Sequence, residues 1–137
     1  YGFIVGTKNS PEFKDNKDYK VTNNGACFRT VNTVANCSSY GNYLFMSKTG
    51  GKLYVTTGAE KGITSVTIYY TSSVSTNADL SCTFADELVT EKASDAETVK
   101  PVQGGSKTFE GNGKKFFLLS AASANVQISK IVITCAE

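Results

Sequence analysis

The sequence predicts an all-β domain, an antiparallel sandwich of two sheets of jelly-roll type. Three observations carry that prediction. Runs rich in β-branched and aromatic residues alternate with period two. Gly, Asn, Ser and Thr fill the gaps between these runs, as turns require. No stretch carries a helical apolar face. At 137 residues and 14.6 kDa, the chain is read as one domain over residues 1–137, large enough to bury a core without metal or dense disulfides.

The elements follow in order. The first seven residues read as a strand, and a chain opening on Tyr1 rather than Met is expected to be a mature or excised fragment. Residues 43–47 (YLFMS) and 52–57 (KLYVTT) flank Gly50-Gly51, which is a hairpin signal. In residues 63–70 (ITSVTIYY), Val66, Ile68 and Tyr70 share one face, and Thr67 and Tyr69 the other. Residues 80–84 (LSCTF) alternate in the same way. Residues 86–96 (DELVTEKASDA) have little apolar face and are expected to form an exposed loop with at most a turn of helix. Residues 100–106 (KPVQGGS) are a further loop, and 111–115 (GNGKK) read as a hairpin turn, since they lack the spacing and terminal Ser/Thr of a phosphate loop. Residues 115–119 (KFFLL) are apolar on both faces, as in a central or doubly covered strand. In residues 126–135 (VQISKIVITC), Val126 and Ile128 keep phase with Ile131, Ile133 and Cys135 only if one residue is inserted near Ser129-Lys130, which predicts a β-bulge. The expected core contains Val55, Val66, Ile68, Phe84, Leu118, Val126 and Ile133.

The composition excludes several functions. Forty per cent hydrophobic and 19% charged residues describe neither a disordered chain nor a coiled coil. A formal charge of +2 does not supply the dense basic face of a nucleic-acid partner. No apolar run approaches the roughly 18 residues of a membrane helix. The chain has no histidine, which removes Ser-His-Asp and Cys-His nucleophiles, His-ligated zinc and imidazole acid–base chemistry together. Two carboxylates alone can hydrolyse a glycosidic bond, but the adjacent Asp86 and Glu87 would diverge on a strand. A binding domain, not an enzyme, is expected. Four cysteines, Cys27, Cys37, Cys82 and Cys135, permit two bridges, and three pairings are open. Cys27–Cys37 with Cys82–Cys135 is the preferred pairing: the first pair flanks a short polar segment, and both members of the second sit in alternating apolar runs, which suit either a bridge or two buried thiols. The Asn36-Cys37-Ser38 sequon matters only in a eukaryotic secretory setting.

The succession GKLYVTT, GITSVTIYY, GKKFFLLS and VQISKIVIT, over roughly residues 43 to 135, resembles extracellular bacterial β-sandwich modules of the carbohydrate-binding type. These are appended to polysaccharide-degrading enzymes and large surface proteins. The resemblance implies a non-catalytic carbohydrate-binding module, secreted or at the cell surface, that targets a larger protein to a polysaccharide. The chain departs from that pattern in its four cysteines and in having no tryptophan, the usual sugar-stacking platform. The alternative is a structural or adhesive β-sandwich without a glycan site. A minor third reading is a pore-forming toxin, from the Ser/Thr-rich alternation between Ile63 and Phe84, which resembles an amphipathic membrane hairpin.

Sugar binding requires an aromatic face for the C–H side of a pyranose and polar groups for its hydroxyls. Of the seven tyrosines, Tyr40, Tyr43, Tyr54 and Tyr69 are expected to point outward. If their strands are neighbours, Tyr54 and Tyr69 form one platform, with Lys52 beside Tyr54, Tyr40 and Tyr43 at a rim, and Lys107 alongside. Thirteen of the 14 basic residues are lysines, which suits an acidic polysaccharide whose uronates would pair with ammonium groups. Glu12, Asp15 and Asp18 offer oxygen ligands for a structural calcium ion, as in many jelly-roll binding modules, although Lys14 and Lys17 interleave with them.

Overall fold

A computed structural model of the chain describes residues 2–4, 18–20, 27–38, 41–56 and 62–136. Among these there are twelve strands and no helix. They are β1 (Gly2–Ile4), β2 (Asp18–Lys20), β3 (Cys27–Val31), β4 (Thr33–Ser38), β5 (Gly41–Met46) and β6 (Lys52–Thr56). After them come β7 (Ile63–Tyr70), β8 (Asp79–Ala85), β9 (Glu97–Val99), β10 (Ser106–Lys114), β11 (Phe116–Ala122) and β12 (Val126–Cys135). One sheet runs β10-β7-β12-β5-β4, with β1 also paired to β12, and the other runs β2-β3-β6-β11-β8-β9. Every pairing is antiparallel. This is the expected jelly-roll sandwich.

Alternation fills the space between the sheets. Leu44, Val66, Ile68 and Ile133 of the first sheet meet Leu53, Leu80, Phe117 and Leu119 of the second, and all are fully buried. The predicted bulge in β12 is present. Ile128 opposes Tyr70 and Lys130 opposes Tyr69, so Ser129 is the extra residue that lets Ile128, Ile131 and Ile133 all face the core. Of the expected core, Val66, Ile68, Val126 and Ile133 are buried there, and Phe84 packs against it half-buried. The side chain of Val55 lies outside the described residues.

Three expectations need correction. Residues 48–51 do turn the chain, but β5 and β6 belong to different sheets, so the turn crosses the sandwich instead of closing a hairpin. The same holds at 111–115: Gly111 to Lys114 end β10, and the chain then crosses to β11 in the other sheet. Alternation gives each strand's faces but says nothing about which strand lies beside it. By the same topology β7 and β8 are in different sheets and are not a paired hairpin of the membrane-inserting kind. Second, Leu118 is buried but faces away from the core, opposite Tyr54 and Thr83. Residues 86–96 lie over it as a strap: the Ala93 amide donates to the Thr83 hydroxyl at 3.1 Å, and the Lys52 ammonium donates to the Thr90 carbonyl at 3.1 Å. Third, Cys82 and Cys135 are both free thiols, on different sheets. The Cys27–Cys37 pairing falls on side chains outside the described residues. No helix long and apolar enough to cross a membrane occurs among the described residues.

Glycine permits one close approach that bears on the site. A Cβ on Gly62 would strike the backbone of Gly113, and one on Gly111 would strike that of Ile63. The end of β10 therefore lies directly on the start of β7. Its bulge between Glu110 and Lys114 holds Asn112 at φ +52° and Gly113 at φ +79°.

Candidate functional site

The sequence-predicted site residues do not assemble into one platform. Tyr69 lies on the outer face of the first sheet, 39% exposed, with the Lys130 ammonium 5.5 Å from its ring centroid. Tyr54 is half-buried on the second sheet, whose outer face it shares with Lys52 and Leu118. The core separates the two tyrosines. Lys52 is engaged by the strap, 3.2 Å from the Glu91 carboxylate. Tyr43 was expected at a loop rim, but it is the third residue of β5 and only 5% exposed, since the strand already begins at Gly41. β10 does lie alongside β7, as the Lys107 placement required. Lys107, however, opposes the buried Ile68 and so faces inward, away from Tyr69. There its ammonium sits 5.5 Å over the Phe109 ring and pairs with Glu97 at 2.6 Å. Tyr40, Glu12 and Asp15 lie outside the described residues, and of Asp18 only the backbone, in β2, is described. Among the described residues, no group of three or more His, Cys, Asp or Glu is placed to hold a metal ion.

A different set of residues does converge. β9 is three residues long and pairs only with Leu80 to Cys82 of β8. β8 runs on past it, so among the described residues no strand lies beside Thr83 and Phe84 on that edge. Facing this gap across the sandwich is β10, the edge strand of the other sheet. The result is a cleft of about 360 Å³ between the two sheet edges. Phe84, Phe109 and Cys82 supply its apolar lining, and Asp95, Glu97, Glu110 and Asn112 its polar one. The Phe84 ring is braced by Phe117, with centroids 6.1 Å apart and planes tilted by 47°.

The charges in this cleft are unbalanced. Glu97 is neutralised by Lys107, whereas no ion pair involves Asp95 or Glu110 among the described residues. Burial, and then the charge of Glu97, push the Cys82 thiol above its usual range, so Cys82 is an inert part of the wall and not a nucleophile. Asp79, away from the cleft, shows the opposite shift. Hydrogen bonds from Lys100 and Ser123 lower its pKa, which marks a structural tie between the β8 start, Lys100 beyond β9 and the β11–β12 turn. Aromatic rings beneath carboxylates and an amide can stack on an apolar ring face while accepting from hydroxyls or amines at its edge.

Several of these residues were legible only as something else. Phe84 read as core, and Asp95 belonged to a segment read as an exposed loop. Lys107 was noted, but not as the partner of Glu97. The available signal was the ETV triplet at 97–99, a short β-branched run beyond an acidic loop, together with an Asn set between two glycines at Gly111-Asn112-Gly113.

No protein-family model matches the chain, and no curated protein matches it. Solved structures do. An exo-β-1,3-galactanase from Phanerochaete chrysosporium, with galactose, is similar over 88% of this chain at 12% identity and a TM-score of 0.50. This chain covers 30% of that enzyme's length. A fucose binding module from Streptococcus pneumoniae is similar over 100% of this chain and 94% of its own, at 8% identity and a TM-score of 0.48. A Clostridium perfringens chain described as CpGH89CBM32-6 is similar over 64% of this chain and 70% of its own, at 16% identity and a TM-score of 0.41. The likeness to the galactanase chain is one of fold.

Proposed function

We propose that this domain is a non-catalytic glycan-binding module that holds a larger secreted or cell-surface protein on a polysaccharide, and that the glycan enters the edge cleft between β8 and β10. The observation that carries the reading is the composition of that cleft. Phe84 and Phe109 line it with aromatic surface, Asn112 and the carboxylates line it with acceptors, and its volume of about 360 Å³ suits a small ligand, whose pockets span roughly 300–1,000 Å³. The thiol in its wall is held protonated, which fits recognition better than covalent catalysis. Tyr69, with Lys130, is a separate outward aromatic on the first sheet, and in this reading it is peripheral to the cleft.

Titration calorimetry against a panel of neutral, amino and acidic oligosaccharides tests the proposal. At least one should bind, and backbone amide resonances of residues 109–114 should shift on its addition. Asn112→Gly keeps the left-handed backbone while deleting the amide. It should weaken binding by about fivefold, the equivalent of one hydrogen bond of roughly 1 kcal/mol. A folded wild type that binds nothing in the panel would favour the structural or adhesive reading.

A further inference from the structure

We infer that the cleft selects glycans carrying a free ammonium group, of the 2-amino-2-deoxy sugar type, over uronic-acid polymers; this rests on the cleft being the glycan site. The cleft lining contains three carboxylates, Asp95, Glu97 and Glu110, and no cationic side chain. The 2.6 Å pair with Lys107 neutralises Glu97. Asp95 from the strap side and Glu110 from β10 remain, so the cleft is negative on a chain whose formal charge is +2. Lys114, on the same strand as Glu110, is engaged with Asp86 at 2.9 Å.

Ligand chemistry follows from this imbalance. A uronate entering the cleft meets like charge on both sides and finds no free cation in the lining. A neutral or N-acetylated sugar can stack on the rings and donate hydroxyl hydrogen bonds, but it leaves both carboxylates without a counter-ion. An amino sugar does the same and adds N⁺–H···O⁻ bonds, which are about twice as strong as neutral ones. The surplus of lysines in the sequence suggested an acidic glycan, but Lys107 and Lys114, which flank the lining residues of β10, are bound to carboxylates of the domain itself. Counting charges along a chain does not reveal which of them are already paired.

Four probes on the whole chain decide the matter by calorimetry at low and high salt: a glucosamine oligosaccharide, its N-acetylated counterpart, an oligogalacturonate and tri-lysine. The glucosamine oligomer should bind about tenfold or more tightly than the N-acetylated one, and added salt should shrink that margin. The Asp95→Asn, Glu110→Gln double variant should abolish the margin, weakening the glucosamine oligomer by about tenfold or more and the N-acetylated one far less, because the amide oxygens still accept from hydroxyls. Both side chains are exposed, and an unchanged melting temperature verifies that the variant folds. Equal binding of the two oligomers, or a margin that survives the double variant, overturns the amine selectivity and leaves the glycan reading intact. Tri-lysine binding as tight as the amino sugar overturns the sugar assignment, because charge alone would then account for it. Failure of every oligosaccharide to bind removes the glycan reading itself.

Discussion

Tyr70 carries its hydroxyl into the sandwich, where it meets no hydrogen-bond partner, and burial pushes its pKa up to about 12. The folded state thus favours the neutral phenol more than the unfolded chain does, whose tyrosines titrate near 10. This contribution is complete below pH 10 and is lost as pH rises toward 12, for roughly 2–3 kcal/mol in all. Tyr70→Phe should therefore resist alkaline unfolding, and at neutral pH it should be at least as stable as wild type, because it removes an unsatisfied buried polar atom. Urea titrations at pH 7 and pH 11 check both; a variant that loses stability at pH 7 would show that the hydroxyl is satisfied. The lowered pKa of Asp79 has the opposite consequence. Its stabilisation is present above the usual carboxylate range and is lost on acidification through its own lower pKa. Asp79→Asn should flatten that part of the acid limb, as read by melting temperature between pH 7 and pH 3. Single-residue facing was legible in advance, since alternation sent Val66 and Ile68 inward and Tyr69 outward. Tyr43 was misplaced because the start of a strand, not its period, decides whether a residue at its end is rim or wall.

At the scale of elements, the strap over residues 86–96 gives the second sheet two buried faces. Leu118→Ala should cost about 2–4 kcal/mol, as much as a core truncation, although Leu118 touches none of the central core. Lys52→Ala should cost under about 1 kcal/mol, because its partner Glu91 is solvent-exposed. Denaturant midpoints separate the two; a mild Leu118→Ala would mean that the strap does not seal that face. Gly62→Ala should be more disruptive than its small volume suggests, because the new methyl meets the backbone of Gly113 and has no flexible side chain to displace. The double-sided apolar run at 116–119 announced a covered strand, and the structure names the strap as its cover. The cleft was not legible, because it exists only where β9 ends short of β8 and where β10 comes to face that gap. Strand length and sheet order are tertiary outcomes that local period does not encode.

Across the whole molecule, the pairings are distant in sequence. β12 joins β7, β5 and β1, and β3 joins β6 across the intervening β4 and β5. Neither sheet is complete until remote segments meet, which predicts slow, cooperative folding on the scale of milliseconds to seconds. Sheet membership also explains why the cysteine spacing misled: Cys82 sits between Leu119 and Glu97 in the second sheet, while Cys135 pairs with Ile63 in the first. Cys82 then becomes a reporter of global opening. It is buried, its thiol is held protonated, and the strands on either side of it must part before a reagent reaches the sulfur. Cys135 is half-buried near the end of its strand, where fraying suffices. Under native conditions an alkylating reagent should modify Cys135 readily and Cys82 roughly 10³-fold or more slowly than in urea, in step with the unfolding equilibrium. A destabilising change such as Leu118→Ala should accelerate Cys82 by the same factor that it lowers the folding constant, and should leave Cys135 nearly unchanged. Peptide mapping of the alkylated chain measures both sites at once. Rapid native labelling of Cys82 would mean that the cleft admits reagents to its wall without unfolding, and the sulfur would then report on the cleft and its occupant, not on the fold.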